Sequence, residues 1–533
     1  MKKFFRALAT AVMAAVLSVT CLGATGALAA DYSKTVTFKG VSAGDEVCAY
    51  HVVSYDATYN NYEFESGFKS FVEGKMSGSS VSGKTVEEYF AGLSTAERSQ
   101  LLDEYSASCS ASKSWPSDVK EGVAGADLTC ALTLDPGYYV VIAKTTAENS
   151  TVYTPTSVFV QVQGTSVTVY GGKDNALLDG NAPTVELKHQ QGPTISKCVW
   201  DEAASTWTTS KTTQLGDIEY FYINVTVPAY GQDTRSSNAI SVPLTVTDTM
   251  TNMALYTNLS GAPVRAMTTA DGNGTEIAGA IKSYNWNAET GELKVELDFN
   301  VVEGRTFYLC YGARTTAASA SANRADNTAV LNYANPVTGE EKVTEPVKNN
   351  LWLFSLNLLK VDGKGTPLDG AMFSVSESDA QNAKVISFVK EGNYYRPATD
   401  ADADAAKVTE IPGNSVIKGL DAKAYTLKET STPAGYYAPN GSFTATLVAE
   451  VEGDTVNGSL ASGTLTGPDS LAKSAAVNAS SNNQLDVTIA NSTMPVLPST
   501  GGMGTMLFTI GGVALMVVAA IAFMVIRKKG DQK

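Results

Sequence analysis

The sequence predicts an all-β protein: tandem immunoglobulin-like sandwiches in a row, the first with short helical insertions, between a cleaved leader and a C-terminal transmembrane helix. Two observations carry the β assignment. Short runs rich in Val, Ile, Thr, Tyr and Phe recur between Gly, Asn, Asp and Pro turns, and no helix-length 3.6-residue period dominates the second half. Charged residues make up only 17% of the chain while Thr, Ser, Val and Gly abound, the composition of exposed sandwiches rather than helical bundles. A third observation sets the ends. Apolar segments stand at both termini, each flanked by cations.

Lys2, Lys3 and Arg6 precede an apolar core from Ala7 to Leu22, and Ala27-Leu28-Ala29 forms a small-residue cleavage site. This is the pattern of a secretory signal peptide over residues 1–29, cut after Ala29 or Ala30. Thr20 is too large for the position before a lipoprotein cysteine, so Cys21 leaves with the leader. At the other end, Met506 to Ile526 carries no charge and is followed by Arg527, Lys528 and Lys529. At about 1.5 Å per residue that run spans roughly 31 Å, the hydrocarbon thickness of a bilayer, with the cations on the cytoplasmic side.

About 470 residues lie between these signals, enough for three or four domains. The first, residues 30–190, opens with strands at Val36–Phe38 and Cys48–Tyr55. Capping boxes at Thr85/Glu88 and Ser94/Glu97 then start two helices. Strands return at Thr129–Leu134, Tyr138–Ala143, Val158–Val162 and Ser166–Tyr170, and Pro183 to Lys188 ends the unit. The second, residues 191–348, shows strands at Ile195–Trp200, Tyr220–Val227, Leu244–Thr249, Leu293–Phe299 and Thr306–Tyr311. The third, residues 349–492, has the same texture. Residues 493–533 hold the C-terminal signal.

The net charge of −15 argues against nucleic acid and anionic membrane surfaces as partners. Cys48, Cys109, Cys130, Cys198 and Cys310 remain after the leader is cut, an odd number whose pairing cannot be read. Asp400, Asp402 and Asp404 imitate the start of a calcium loop, but Ala405 and Ile411 replace its glycine and terminal glutamate, so a solvated turn is expected and no metal or cofactor. His51 lies near Cys48 without a recognisable hydrolase or zinc motif.

The informative residues are polar ones in phase with buried apolar ones. Alternate side chains of a strand share a face. Lys360 therefore faces with Phe354, Leu356 and Leu358; Glu429 with Tyr425 and Leu427; Asn491 with Leu485, Val487 and Ile489. Burying any one of these unpaired costs several kcal/mol. An amide bond resolves all three. An apolar site favours a neutral amine and a protonated acid. Lys360 attacks the Asn491 side-chain carbonyl, and Glu429 shuttles protons to the departing ammonia. The second unit repeats the pattern: Lys197 with Ile195 and Val199, Asp248 with Leu244, Val246 and Met250, Asn327 with Ala329, Leu331 and Tyr333. Asn332 is out of phase with Asn327, which makes Asn327 the preferred partner. Lys34 of the first unit is in phase with Val36 and Phe38, but Tyr138 to Lys144 offers no acid, so no cross-link is expected there.

Tyr425-Thr426-Leu427-Lys428-Glu429-Thr430-Ser431-Thr432-Pro433-Ala434-Gly435-Tyr436 resembles the E-box of Cna-B-type domains in Gram-positive pilins, and Leu359-Lys360-Val361-Asp362 with Pro367-Leu368-Asp369-Gly370-Ala371 resembles the opening of the same domain. Val246 to Met250 and Asn327-Thr328-Ala329 resemble the middle domain of major pilins, where the resemblance gives Asp248 the carboxyl role. Leu497-Pro498-Ser499-Thr500-Gly501 ahead of the apolar run resembles the sorting signal that a sortase cuts between Thr500 and Gly501.

The whole chain resembles the major (backbone) pilins of sortase-assembled pili. The resemblance implies a shaft subunit rather than a turnover enzyme, secreted and anchored to peptidoglycan of a Gram-positive surface after a membrane-bound precursor stage. It implies as partners a pilus sortase, a housekeeping sortase, further copies of the chain and minor pilins. It also implies an exposed lysine that accepts Thr500 of the next subunit. In relatives this lysine lies in a Val-Tyr-Pro-Lys motif; here Val185-Glu186-Leu187-Lys188 stands in that place, which selects Lys188 over its rival Lys173. The alternative from another class is a monomeric wall-anchored adhesin or ancillary pilin.

Overall fold

The computed structural model describes residues 32–56, 61–77, 83–112, 114–145, 151–163, 166–171, 176–178, 182–230, 243–258, 261–335, 341–377, 383–468, 470–493 and 504–530. The leader, Lys173 and the Leu497–Gly501 motif lie outside the described residues. By internal contacts the chain forms two compact units, one centred on the first 192 residues and one holding most of residues 193–533.

In the first unit a three-stranded sheet faces a seven-stranded one. The small sheet places Lys34–Lys39 between Thr184–Glu186, parallel to it, and Thr129–Leu134, antiparallel. The large sheet runs Ala176–Leu178, Ser166–Gly171, Thr156–Gln163, Gly137–Lys144, Glu46–Asp56, Asn61–Phe64, with Val119–Val123 also on Glu46–Asp56. The alternating residues Val36, Phe38, Leu132 and Leu134 meet Tyr139, Val141, Val158 and Val160 in one core. Both expected caps form. Thr85 and Glu88 close a reciprocal capping box on the Val86–Gly92 helix, and Ser94 and Glu97 exchange the same pair of hydrogen bonds ahead of Thr95–Ser112. A further helix, Ser66–Met76, has no such signature in the sequence, because its N-cap is Glu65, whose carboxylate accepts from the Phe68 amide.

The second unit contains two sandwiches in succession. In residues 194–352 one sheet orders Thr206–Thr208, Thr194–Asp201, Ile218–Val227, Arg305–Thr315, Met253–Leu255. The facing sheet orders Ser210–Thr212, Val347–Trp352, Arg324–Ala334, Leu244–Thr251, Glu292–Leu297, Ile281–Asn287. The expected Leu293–Phe299 strand stops at Leu297, since Asp298 caps a short helix from Phe299 to Val302. In residues 354–490 the opening strand Phe354–Val361 lies parallel to the last strand Ser481–Ala490, and Lys360 sits opposite Ile489. The facing sheet orders Ile411–Pro412, Met372–Glu377, Ala424–Ser431, Phe443–Glu452, Thr455–Thr466. Phe354, Leu356, Leu358, Phe373, Tyr425, Leu427, Leu485, Val487 and Ile489 belong to one buried cluster.

A single residue, Leu353, joins the two sandwiches. It packs with Leu215 and Ala320, its amide donates to Asn323, and the Leu215 amide donates to Gly419 in the second sandwich. Such a short, hydrogen-bonded junction leaves little backbone freedom between the two.

The strand Leu244–Thr251 is pinned at its far end by a turn. Gly291 has φ +67°, its carbonyl accepts from the Met250 amide, and a Cβ there would lie 2.2 Å from the Met250 oxygen. Gly291→Ala should therefore destabilise this sandwich by about 1–3 kcal/mol. Calorimetry should show one transition shifted downward, and an unshifted transition would contradict the packing.

Candidate functional site

Three of the sequence-selected residues meet in the last sandwich. Lys360 arrives on the opening strand, Asn491 just beyond the last strand, and Glu429 on the facing sheet. Lys360 and Asn491 are fully buried, and the Glu429 side chain is 1% exposed. The Lys360 Nζ is 2.5 Å from Asn491 Oδ1 and 3.1 Å from Glu429 Oε2. The Asn491 Nδ2 donates to Glu429 Oε1 at 2.8 Å. The three groups close a ring in which amine, amide carbon and acid are neighbours. Burial lowers the Lys360 pKa against the opposing pull of Glu429. Lys360 Nζ also lies 5.9 Å from the centre of the Phe373 ring.

In the middle sandwich the same types meet in another geometry. Lys197 comes from one sheet; Asp248 and Asn327 come from antiparallel neighbours of the other, with Met250 opposite Asn327 in register. All three are buried. Lys197 Nζ donates to Asp248 Oδ1. Asn327 is reached through a residue that the sequence reading passed over. The Tyr311 hydroxyl donates to Asp248 Oδ2 at 2.6 Å and accepts from Asn327 Nδ2 at 3.0 Å. The Asn327 Oδ1 is buried without a hydrogen-bond partner. Lys197 Nζ lies near two aromatic rings, 5.6 Å from the Phe221 ring centre and 5.5 Å from that of Tyr311. Burial pushes its pKa down to about 8.

Asn349 is a second residue the sequence did not flag. It is buried opposite Asn327 on the neighbouring strand, and its Nδ2 lies 3.4 Å from the backbone oxygens of Lys197 and Thr208. Its phase with Leu351 was the available signal. Asn332, out of phase as expected, donates to Thr247 Oγ1 at 3.1 Å.

The remaining candidates separate cleanly. Lys188 is exposed between Leu187 and His189, while Val185 and Leu187 are buried, the alternation expected of it. Lys34 is half-buried at the start of its strand. The calcium-loop imitation is occupied by cations of the chain itself: Arg396 forms two hydrogen bonds to Asp402, Arg314 one to Asp400 and Lys407 one to Asp404. His51 pairs with Asp118 at 3.2 Å and stacks on Tyr139, while the Cys48 thiol points to Glu121. Burial raises the Cys48 thiol to about 11, the reverse of an activated nucleophile. Cys48, Cys109, Cys130, Cys198 and Cys310 are all free.

Residues 354–458 match the SpaA prealbumin-like fold domain, and residues 489–531 match the LPXTG cell wall anchor motif. The chain is thus a cell wall-anchored surface protein built from β-sandwiches. Its fold is that of a backbone pilin. The T6 backbone pilin of serotype M6 Streptococcus pyogenes, a modular three-domain structure, superposes with a TM-score of 0.53 at 15% identity, over 88% of this chain and 100% of that one. The full-length major pilin SpaD of Corynebacterium diphtheriae gives 0.49 at 15% identity, over 87% and 98%. No curated protein matches the sequence.

The depressed Lys197 pKa has a thermodynamic consequence wherever the amine stays free, as in Asn327→Ala. Between about pH 8 and the usual 10.5 the unfolded chain holds the proton that the folded one has lost. Stability should therefore rise with pH across that window. The stability of Asn327→Ala minus that of a Lys197→Met control, by chemical denaturation, should rise across the window. The control cancels the opposite contribution of buried thiols and phenols. A flat or falling difference would contradict the burial effect.

Proposed function

We propose that this protein is the structural shaft subunit of a covalently polymerised pilus, stabilised by two internal Lys–Asn amide bonds. The observation that carries this reading is the pair of buried lysine–acid–asparagine sets, one in each of two successive sandwiches. Each offers a buried, desolvated amine, a primary amide and a carboxyl. Lys360 joins Asn491 with Glu429 as proton shuttle, and Lys197 joins Asn327 with Asp248. Each reaction releases one ammonia and happens once, so the protein is not a turnover enzyme.

The sorting signal completes the assignment. The apolar run inside the Gly504–Gly530 helix holds the precursor in the membrane by its uninterrupted sequence from Met506 to Ile526. Among the described residues no helix is long and apolar enough to cross a membrane; the full run includes side chains outside that set. A sortase then cleaves between Thr500 and Gly501 after recognising Leu497 and Pro498. Thr500 is passed to the Lys188 amine of a neighbouring subunit, or to peptidoglycan by the housekeeping enzyme. Lys188 suits this role because it is solvent-exposed, where an intermolecular nucleophile has to be.

Two measurements test the reading. Intact mass of the recombinant ectodomain, without leader and sorting signal, should fall short of its own sequence by two ammonia losses, with Glu429→Ala restoring one and Asp248→Ala the other. A full unmodified mass would refute the internal bonds. Each bond closes a loop of about 130 residues, for which the chain-entropy treatment of cross-links gives roughly 4–5 kcal/mol. Separately, coexpression with the cognate pilus sortase should give a covalent ladder on a denaturing gel. Lys188→Ala should abolish it and Lys173→Ala should leave it intact. A ladder that survives Lys188→Ala moves the role to another lysine, and no ladder from the unaltered chain favours the monomeric adhesin.

A further inference from the structure

We propose that Tyr311 is a catalytic proton relay for the amide bond of the middle sandwich, carrying a proton between Asp248 and the leaving nitrogen of Asn327; this rests on the cross-linking reading above. The two sandwiches solve one geometric problem differently. In the last one the acid is a glutamate, and its two oxygens reach the lysine amine and the asparagine Nδ2 directly. In the middle one the acid is an aspartate, shorter by one methylene. Its Oδ1 meets Lys197, and its Oδ2 stops at the Tyr311 hydroxyl. That hydroxyl, at 3.0 Å from Asn327 Nδ2, covers the distance the shorter acid leaves.

The proton path balances without any outside reagent. Lys197 Nζ, as the neutral amine, attacks Asn327 Cγ and forms the new C–N bond. The amine gives one proton to Asp248 Oδ1. With the carboxyl proton on Oδ2, Asp248 passes that proton to Tyr311 oxygen as Tyr311 passes its own to Nδ2. The Cγ–Nδ2 bond breaks and ammonia leaves with the proton that began on Tyr311. Tyr311 now holds the one from Asp248, and Asp248 the one from Lys197, so each is restored with one proton. Nδ2 is a poor hydrogen-bond acceptor in the planar amide, but it becomes basic in the tetrahedral intermediate, which is where the relay acts.

The environment keeps the relay neutral. Tyr311 is buried on the strand Arg305–Thr315, stacked on Phe221 with ring centres 5.6 Å apart. Burial holds its pKa well above the usual phenol value, so the hydroxyl transfers protons without resting as phenolate. The stacking also fixes the ring independently of its hydroxyl. Replacing Tyr by Phe therefore removes the relay and leaves the packing.

The test follows each branched peptide by mass spectrometry in the full chain, digested at set times after synthesis. In the unaltered chain the Lys197–Asn327 and Lys360–Asn491 peptides should both form. In Tyr311→Phe the Lys197–Asn327 peptide should form about 100-fold more slowly or less completely, while the Lys360–Asn491 peptide forms as before and reports that the adjoining sandwich is folded. Asp248→Glu placed in the Tyr311→Phe background should restore the lost peptide, because the longer acid reaches Nδ2 as Glu429 does. A structural role for the hydroxyl alone would not respond to the length of the acid. Equal rates in Tyr311→Phe and the unaltered chain would overturn the relay, as would loss of the peptide without rescue by Asp248→Glu. Absence of the Lys197–Asn327 peptide from the unaltered chain would instead sink the cross-linking reading of the middle sandwich, and the relay with it.

Discussion

A lysine amine inside a β-sandwich is the constraint on which the rest of this molecule turns. An isolated ammonium in an apolar interior is several kcal/mol out of balance, so its surroundings must neutralise it, pair it or consume it. Lys360 and Lys197 are both placed where only the core can answer them. Glu429, Asn491 and the Phe373 ring converge on the Lys360 amine. Asp248 and the Phe221 and Tyr311 rings converge on that of Lys197, with Asn327 one hydrogen bond beyond, on the Tyr311 hydroxyl. A buried ion pair alone would be a weak source of stability. An amide in the same place would be neutral and would remove the desolvation penalty with the charge.

The two sites would tie their sandwiches in different ways. Lys360 and Asn491 lie at the ends of adjacent parallel strands, first and last in the domain, with the acid reaching over from the facing sheet. A bond there would close the sandwich on itself, so that tension entering by one strand leaves by the other without separating them. Lys197 and Asn327 lie on opposite sheets. A bond there would staple the two layers together. The one-residue junction at Leu353, with its hydrogen bonds to Asn323 and Gly419, joins these two sandwiches with little slack.

The two sites differ in the length of the acid and in the groups that bridge it to the asparagine. A glutamate on the facing sheet reaches both the lysine amine and the asparagine amide. An aspartate on the asparagine's own sheet does not, and an aromatic hydroxyl from the lysine's sheet fills in. Tyr311 stands between Asp248 and Asn327 because its strand, Arg305–Thr315, lies two places from the Thr194–Asp201 strand in the same sheet, with Ile218–Val227 between them.

The period-two alternation put Lys197, Asp248, Asn327, Lys360, Glu429 and Asn491 in phase with buried residues, because strand geometry determines which side chains share a face. The resemblance to pilin motifs singled them out from other polar residues in phase. The same alternation selected Lys188 as exposed beside buried Val185 and Leu187, and the capping boxes located two helices through purely local hydrogen bonds. The Ser66–Met76 helix escaped because its cap is a glutamate, a residue without a strong capping preference. Tyr311 and Asn349 escaped for a deeper reason. An aromatic or an asparagine in phase with a core face is ordinary until its neighbours on other strands are known. Strand order and register bring Tyr311 between Asp248 and Asn327, and those are set by packing across many residues of separation, which no local pattern encodes.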